Sequence, residues 1–112
     1  MDRKVVLSKT VFHAAEKLGL SFDQLAMILS IEKSSMNQNN MTLDPASKPG
    51  QKALLLIQIF QSLYVLNGGD IELIQYFMNS QNHITSGVPI QQVQSENGLV
   101  IVHECLQALL IK

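Results

Sequence analysis

The 112-residue chain is predicted to be all-α, a compact multi-helix domain. Apolar residues recur at helical spacing, and clusters of Pro, Gly, Ser and Asn punctuate the chain at short intervals. No segment reads convincingly as a strand. With 46% apolar and only 15% charged residues, the composition excludes a disordered chain and supports a real core.

The first helix is expected over residues 9–18, with Ser8 as N-cap and Gly19 as the stop. Val11, Phe12, Ala15 and Leu18 then share one face. Ser21 followed three residues later by Gln24 is a capping-box signature, and Asp23 suits the positive end of the second helix, which ends near Leu29 and Ser30. A third helix is expected over residues 33–39, although Met36 is its only clear apolar residue. Residues 43–50 read as a turn-rich connector. A long helix over 51–66 follows, apolar on nearly every side and so expected to be buried all round.

Asn67-Gly68-Gly69 ends that helix, and Asp70 caps the next, over 71–79. Residues 80–87 form a loop. Pro89 opens a short helical turn reaching Gln94, and Ser95 caps a last helix ending near Ile111. The connector divides the chain into regions 1–47 and 48–112, too small to be expected to fold independently.

Residues 22–41 can be laid on a helix-turn-helix. Leu25, Ala26 and Leu29 fit its first helix, and Ile31 and Met36 pack the second. Lys33, Ser34, Asn37 and Gln38 would then face outward as DNA-binding residues. Asn and Gln suit adenine edges, while Lys and Ser suit phosphates. Residues 1–52 hold seven Lys/Arg against five acids, and residues 53–112 hold one against four, so the front is mildly basic and the back acidic.

Little points to catalysis. His103 and Cys105 lie two apart on a predicted helix and point away from each other. His13 and His83 are isolated, no spacing matches a zinc site, and no carboxylates pair. Gly68, Gly69 and Gly87 form no phosphate-cradling pattern. No enzyme, metal or cofactor is expected. The lone Cys105 fits a reducing compartment, and neither a signal peptide nor a bilayer span is read, so a cytoplasmic protein without membrane association is expected. The last helix carries more apolar surface than one stripe requires, and this favours a protein interface.

Several segments in order resemble the antitoxins of the Xre/MbcA/ParS family. These are Leu43-Asp44-Pro45, then Lys48-Pro49-Gly50 running into 53–63, then Gly68-Gly69-Asp70. Met78, Asn82, Gly87-Val88-Pro89, Ser95-Glu96-Asn97-Gly98-Leu99, Val102 and Leu106-Gln107-Ala108 follow, so the resemblance spans about residues 20–108. It implies an N-terminal helix-turn-helix-like unit and a C-terminal helical toxin-binding unit. It further implies a homodimer that neutralises a RES-domain toxin acting on NAD, and that represses its own operon through operator DNA. By position, Asn82, Gly87, Pro89, Gly98 and Leu99 would shape the toxin-binding segment, and Lys112 would point into the toxin's cleft. The reading helix departs from the family by lacking basic residues after Lys33. A stand-alone helix-turn-helix repressor and a plain dimerisation or adaptor domain are the competing readings.

Overall fold

The computed structural model describes residues 2–36 and 41–111. Among these the architecture is all-α. Six α-helices follow in order: α1 (Arg3–Leu18), α2 (Phe22–Leu29), α3 (Lys48–Leu66), α4 (Ile71–Asn79), α5 (Pro89–Gln92) and α6 (Glu96–Leu110). A single 3-10 turn, Lys33–Ser35, stands between α2 and α3.

Local chemistry sets most of the helix ends. Ser21 and Gln24 form the full reciprocal capping box of α2, with Ser21 N–H donating to Gln24 Oε1 at 2.9 Å and Gln24 N–H donating to Ser21 Oγ at 3.1 Å. Asp70 caps α4 by accepting from the N–H groups of Glu72 and Leu73. Gly19, at φ 86°, closes α1 in the left-handed region, which favours glycine.

Three boundaries differ from the sequence expectation, the smallest difference being that α5 ends at Gln92 and not at Gln94. Helix α1 starts at Arg3 with Asp2 as its cap, so Ser8 lies inside it. Ser8 is buried, and its single hydroxyl proton goes to Met41 O at 2.7 Å, with Val5 O 3.2 Å away as the weaker acceptor, so it pins the chain after the 3-10 turn to α1. Helix α3 starts at Lys48 because Pro49 occupies its first turn, where the missing N–H costs nothing.

Helices α3 and α6 begin with the same device. Ser47 and Ser95 are the N-caps, accepting from Gly50 N–H at 3.1 Å and Gly98 N–H at 3.0 Å. In each case the serine hydroxyl also donates to the carbonyl three residues back, Asp44 O at 2.7 Å and Gln92 O at 3.3 Å. A Cβ on Gly50 or Gly98 would collide with that same carbonyl, so glycine is required by close backbone approach. Lys48 and Glu96, one residue into each helix, form an exposed ion pair at 3.6 Å.

Helix α3 is the axis of the fold, flanked by α1 and α6. All three run the same way. Val6 and Thr10 line one groove with Leu54, and further along the His13 and Phe60 rings meet edge to face at 6.3 Å. On the other flank Lys48 meets Glu96, and fourteen residues later Ser62 accepts a hydrogen bond from Gln107 at 3.4 Å. One apolar cluster crosses the boundary between residues 47 and 48, joining Val11, Leu18 and Leu29 to Leu56, Ile59, Leu63, Leu99 and Leu106. Helix α3 is not buried all round: Tyr64, Val65 and Leu66 at its C-terminal end are exposed.

Candidate protein-docking surface

The candidate residues of the C-terminal region converge on one spot. Asn82 and Gly87 pair their backbones in an antiparallel bridge, with N–H to O distances of 3.0 and 3.2 Å. The Asn82 side-chain oxygen accepts from the Thr85 N–H at 3.0 Å and the Thr85 hydroxyl at 3.2 Å, folding residues 82–87 into a closed loop. Gln92 on α5 donates to Thr85 O at 2.6 Å and holds the loop against that helix. Pro89 is buried as the first residue of α5. Gly98 is buried against Gln92 O, and Leu99 beside it is fully inside the core.

Pro89, Gly98 and Leu99 are thus buried, and Asn82 and Gly87 are half-buried. Together they set the path of the chain from α4 through α5 into α6. Sequence reasoning missed Thr85 and Gln92, which tie the loop down. Thr85 is a buried polar residue inside a polar stretch, and its partner lies seven residues away, beyond any short motif. Ser86, at φ 63°, takes a left-handed conformation uncommon for a non-glycine residue.

Most of the exposed large apolar side chains lie in this half. Among the described residues fourteen large hydrophobic residues are exposed; four lie at or before Leu54, and ten lie from Tyr64 onward. The ten are Tyr64, Val65 and Leu66 on α3, Leu73 and Tyr76 on α4, Ile84 in the closed loop, and Val100, Ile101, Leu110 and Ile111 on and just beyond α6. Val65 is 68% exposed, Tyr76 71% and Ile111 78%, so these are not edges of the core. An open groove of about 500 Å³ separates α3 from α6, lined by Gln58, Gln61, Val65, His103, Gln107 and Leu110. No lysine or arginine occurs from Ala53 to Ile111, and Asp70, Glu72, Glu96 and Glu104, the four acids of this stretch, are all exposed.

The helix-turn-helix expectation needs correction. No α-helix forms over Lys33–Met36. Lys33–Ser35 is one 3-10 turn, and Met36 is already extended at φ −83° and ψ 103°. Serines at 34 and 35 bring weak helix propensity, and Met36 alone supplies no apolar stripe for packing the segment as a helix. Lys33 pairs with Asp23 at 2.9 Å, which returns its charge to the first turn of α2, and Ser34 is exposed on the turn. The other two candidate DNA-binding residues, Asn37 and Gln38, lie outside the described residues, as does Lys112.

His103 and Cys105 do not form a dyad with each other. They lie on different sides of α6, with His103 turned toward the groove beside α3. Among the described residues no cluster of His, Cys, Asp or Glu could hold a metal ion, and no single helix is long and apolar enough to cross a membrane. No protein-family model and no curated protein matches the sequence.

Proposed function

We propose that this protein is an antitoxin-like binding protein, which acts by docking its C-terminal half onto a foreign protein and blocking it. The observation that carries the proposal is the placement of apolar surface. Among the described residues, ten of fourteen exposed large hydrophobics lie from Tyr64 onward, on a frame tied together by hydrogen bonds from Thr85 to Asn82 and from Gln92 to Thr85. That is the half in which the sequence resembles the toxin-binding segment of Xre/MbcA/ParS antitoxins.

The division of labour is chemical. Asn82, Thr85, Gly87, Gln92 and Gly98 hold the loop and helix start rigid, so that little ordering entropy is lost when a partner binds. Ile84, Val100 and Ile101 then offer apolar contact from that rigid frame. A RES-type toxin is the partner the resemblance implies. Operator binding, the other role it implies, has no comparable support, since Lys33 and Ser34 sit on a 3-10 turn and not on a reading helix.

Co-expression with the product of the gene next to its own tests the proposal. If that product arrests growth when expressed alone, this chain should restore growth and co-purify with it. Continued arrest, with the two proteins separating on a sizing column, would end the proposal.

A further inference from the structure

We infer that the outward stripe of α6 is the docking seam itself, and that its partner presents an apolar groove with a basic residue at its middle. The inference rests on the proposed function and goes further by naming the seam and the partner's chemistry. Asn97, Ile101, Glu104, Ala108 and Ile111 recur at alternating spacings of four and three residues along α6 and its C-cap, and all five are exposed. That spacing draws one nearly straight line along a helix, about 21 Å long at 1.5 Å per residue. Ile101 is 46% and Ile111 78% exposed, and the small Ala108 between them lets a partner approach the backbone closely.

Glu104 decides between occupants. It is the middle residue of the stripe and the only charged residue between Glu96 and Lys112. A second copy of this chain is a poor fit. Full overlap of the stripe with its own copy, parallel or antiparallel, would bring Glu104 onto Glu104 in a contact otherwise stripped of water. A cation from another protein meets no such penalty. Among the described residues Glu104 forms no ion pair within the chain, so its carboxylate is not already taken by a cation there. Charge complementarity therefore favours a basic group flanked by apolar surface, the partner arrangement in which α6 lies as a helix in a groove.

The test measures calorimetric affinity of the full chain for the adjacent gene's product, with Ile101→Asp, Glu104→Lys and Glu104→Gln variants beside the unaltered protein. Both sites are exposed, so melting temperatures of all three variants should stay near that of the parent. Affinity should fall about a hundredfold for Ile101→Asp and Glu104→Lys and about tenfold for Glu104→Gln, and Glu104→Gln should flatten the salt dependence. If the parent binds and all three variants bind equally well, the seam is overturned while the proposed function stands. Loss with Ile101→Asp but full binding by Glu104→Lys would overturn the basic partner. No binding by the parent protein would remove both.

Discussion

Replacing Gly98 with alanine puts the frame of the candidate surface to a quantitative test. Gly98 is the third residue of α6, in ordinary helical backbone, so alanine there should gain about 1 kcal/mol of helix propensity. Against that, the new Cβ would occupy the space of the Gln92 carbonyl oxygen, and it would also press on Ser95 Oγ at 2.8 Å. Those atoms are the end of α5 and the cap of α6, neither of which is a flexible side-chain tip. Overpacking at a buried site costs about 1–3 kcal/mol. Opening the turn also strains the hydrogen bond from Gly98 N–H to Ser95 Oγ, a cap worth about 1 kcal/mol. The net expectation is a loss of about 2 kcal/mol, or roughly 10 °C in melting temperature for a chain of this size. Thermal unfolding followed by circular dichroism reads it directly. Gly68→Ala is the comparison: nothing lies within 4 Å of its Cβ, and the cost of φ +61° alone is about 1 kcal/mol. A Gly98→Ala protein that melts at or above the parent would refute the close-approach argument.

Four further outcomes follow from the same contacts. Leu106→Asp places an unpaired carboxylate at a position 1% exposed and should leave the protein largely unfolded or insoluble, read by circular dichroism and solubility. Ser21→Ala removes one half of the α2 capping box and should cost about 1 kcal/mol in urea unfolding without changing its slope. Thr85→Val leaves the Asn82 side-chain oxygen without the threonine hydroxyl and should cost about 1 kcal/mol, with faster amide exchange confined to residues 82–87. Ser8→Ala takes the hydroxyl from Met41 O and should also cost about 1 kcal/mol, seen in the same unfolding assay.

The parts legible in the sequence were those whose cause is local. The Ser21–Gln24 box, the Asp70 and Ser95 caps and the Gly19 stop each depend on residues no more than four apart, and each stands where the local pattern placed it. Ser8 looked like a cap by the same local rule, but its hydroxyl is satisfied by Met41 O, thirty-three residues away. Pro49 and Gly50 looked like connector residues. They belong to the first turn of α3, where proline needs no N–H partner and glycine admits the Asp44 carbonyl. The polar stretch after Ile31 suits a helix only by its position in a motif, and its residues lack the apolar periodicity that would pack one.

The candidate surface was legible in outline. Excess apolar residues on the last helix were visible, and Val100, Ile101, Leu110 and Ile111 are indeed exposed. That Tyr64, Val65 and Leu66 join them was not visible. In sequence they continue a core helix, and only the parallel packing of α6 beside α3 shows that this end of α3 passes beyond the core. The inward placement of Gly98 and Leu99 likewise depends on where α5 ends, which no short motif encodes.

Hydrogen exchange on the full chain, with and without the adjacent gene's product, tests the docking claim most directly. Added protection should concentrate in residues 64–111, with little change over residues 2–36. Protection confined to residues 2–36, or none anywhere in a demonstrated complex, would contradict a C-terminal docking surface.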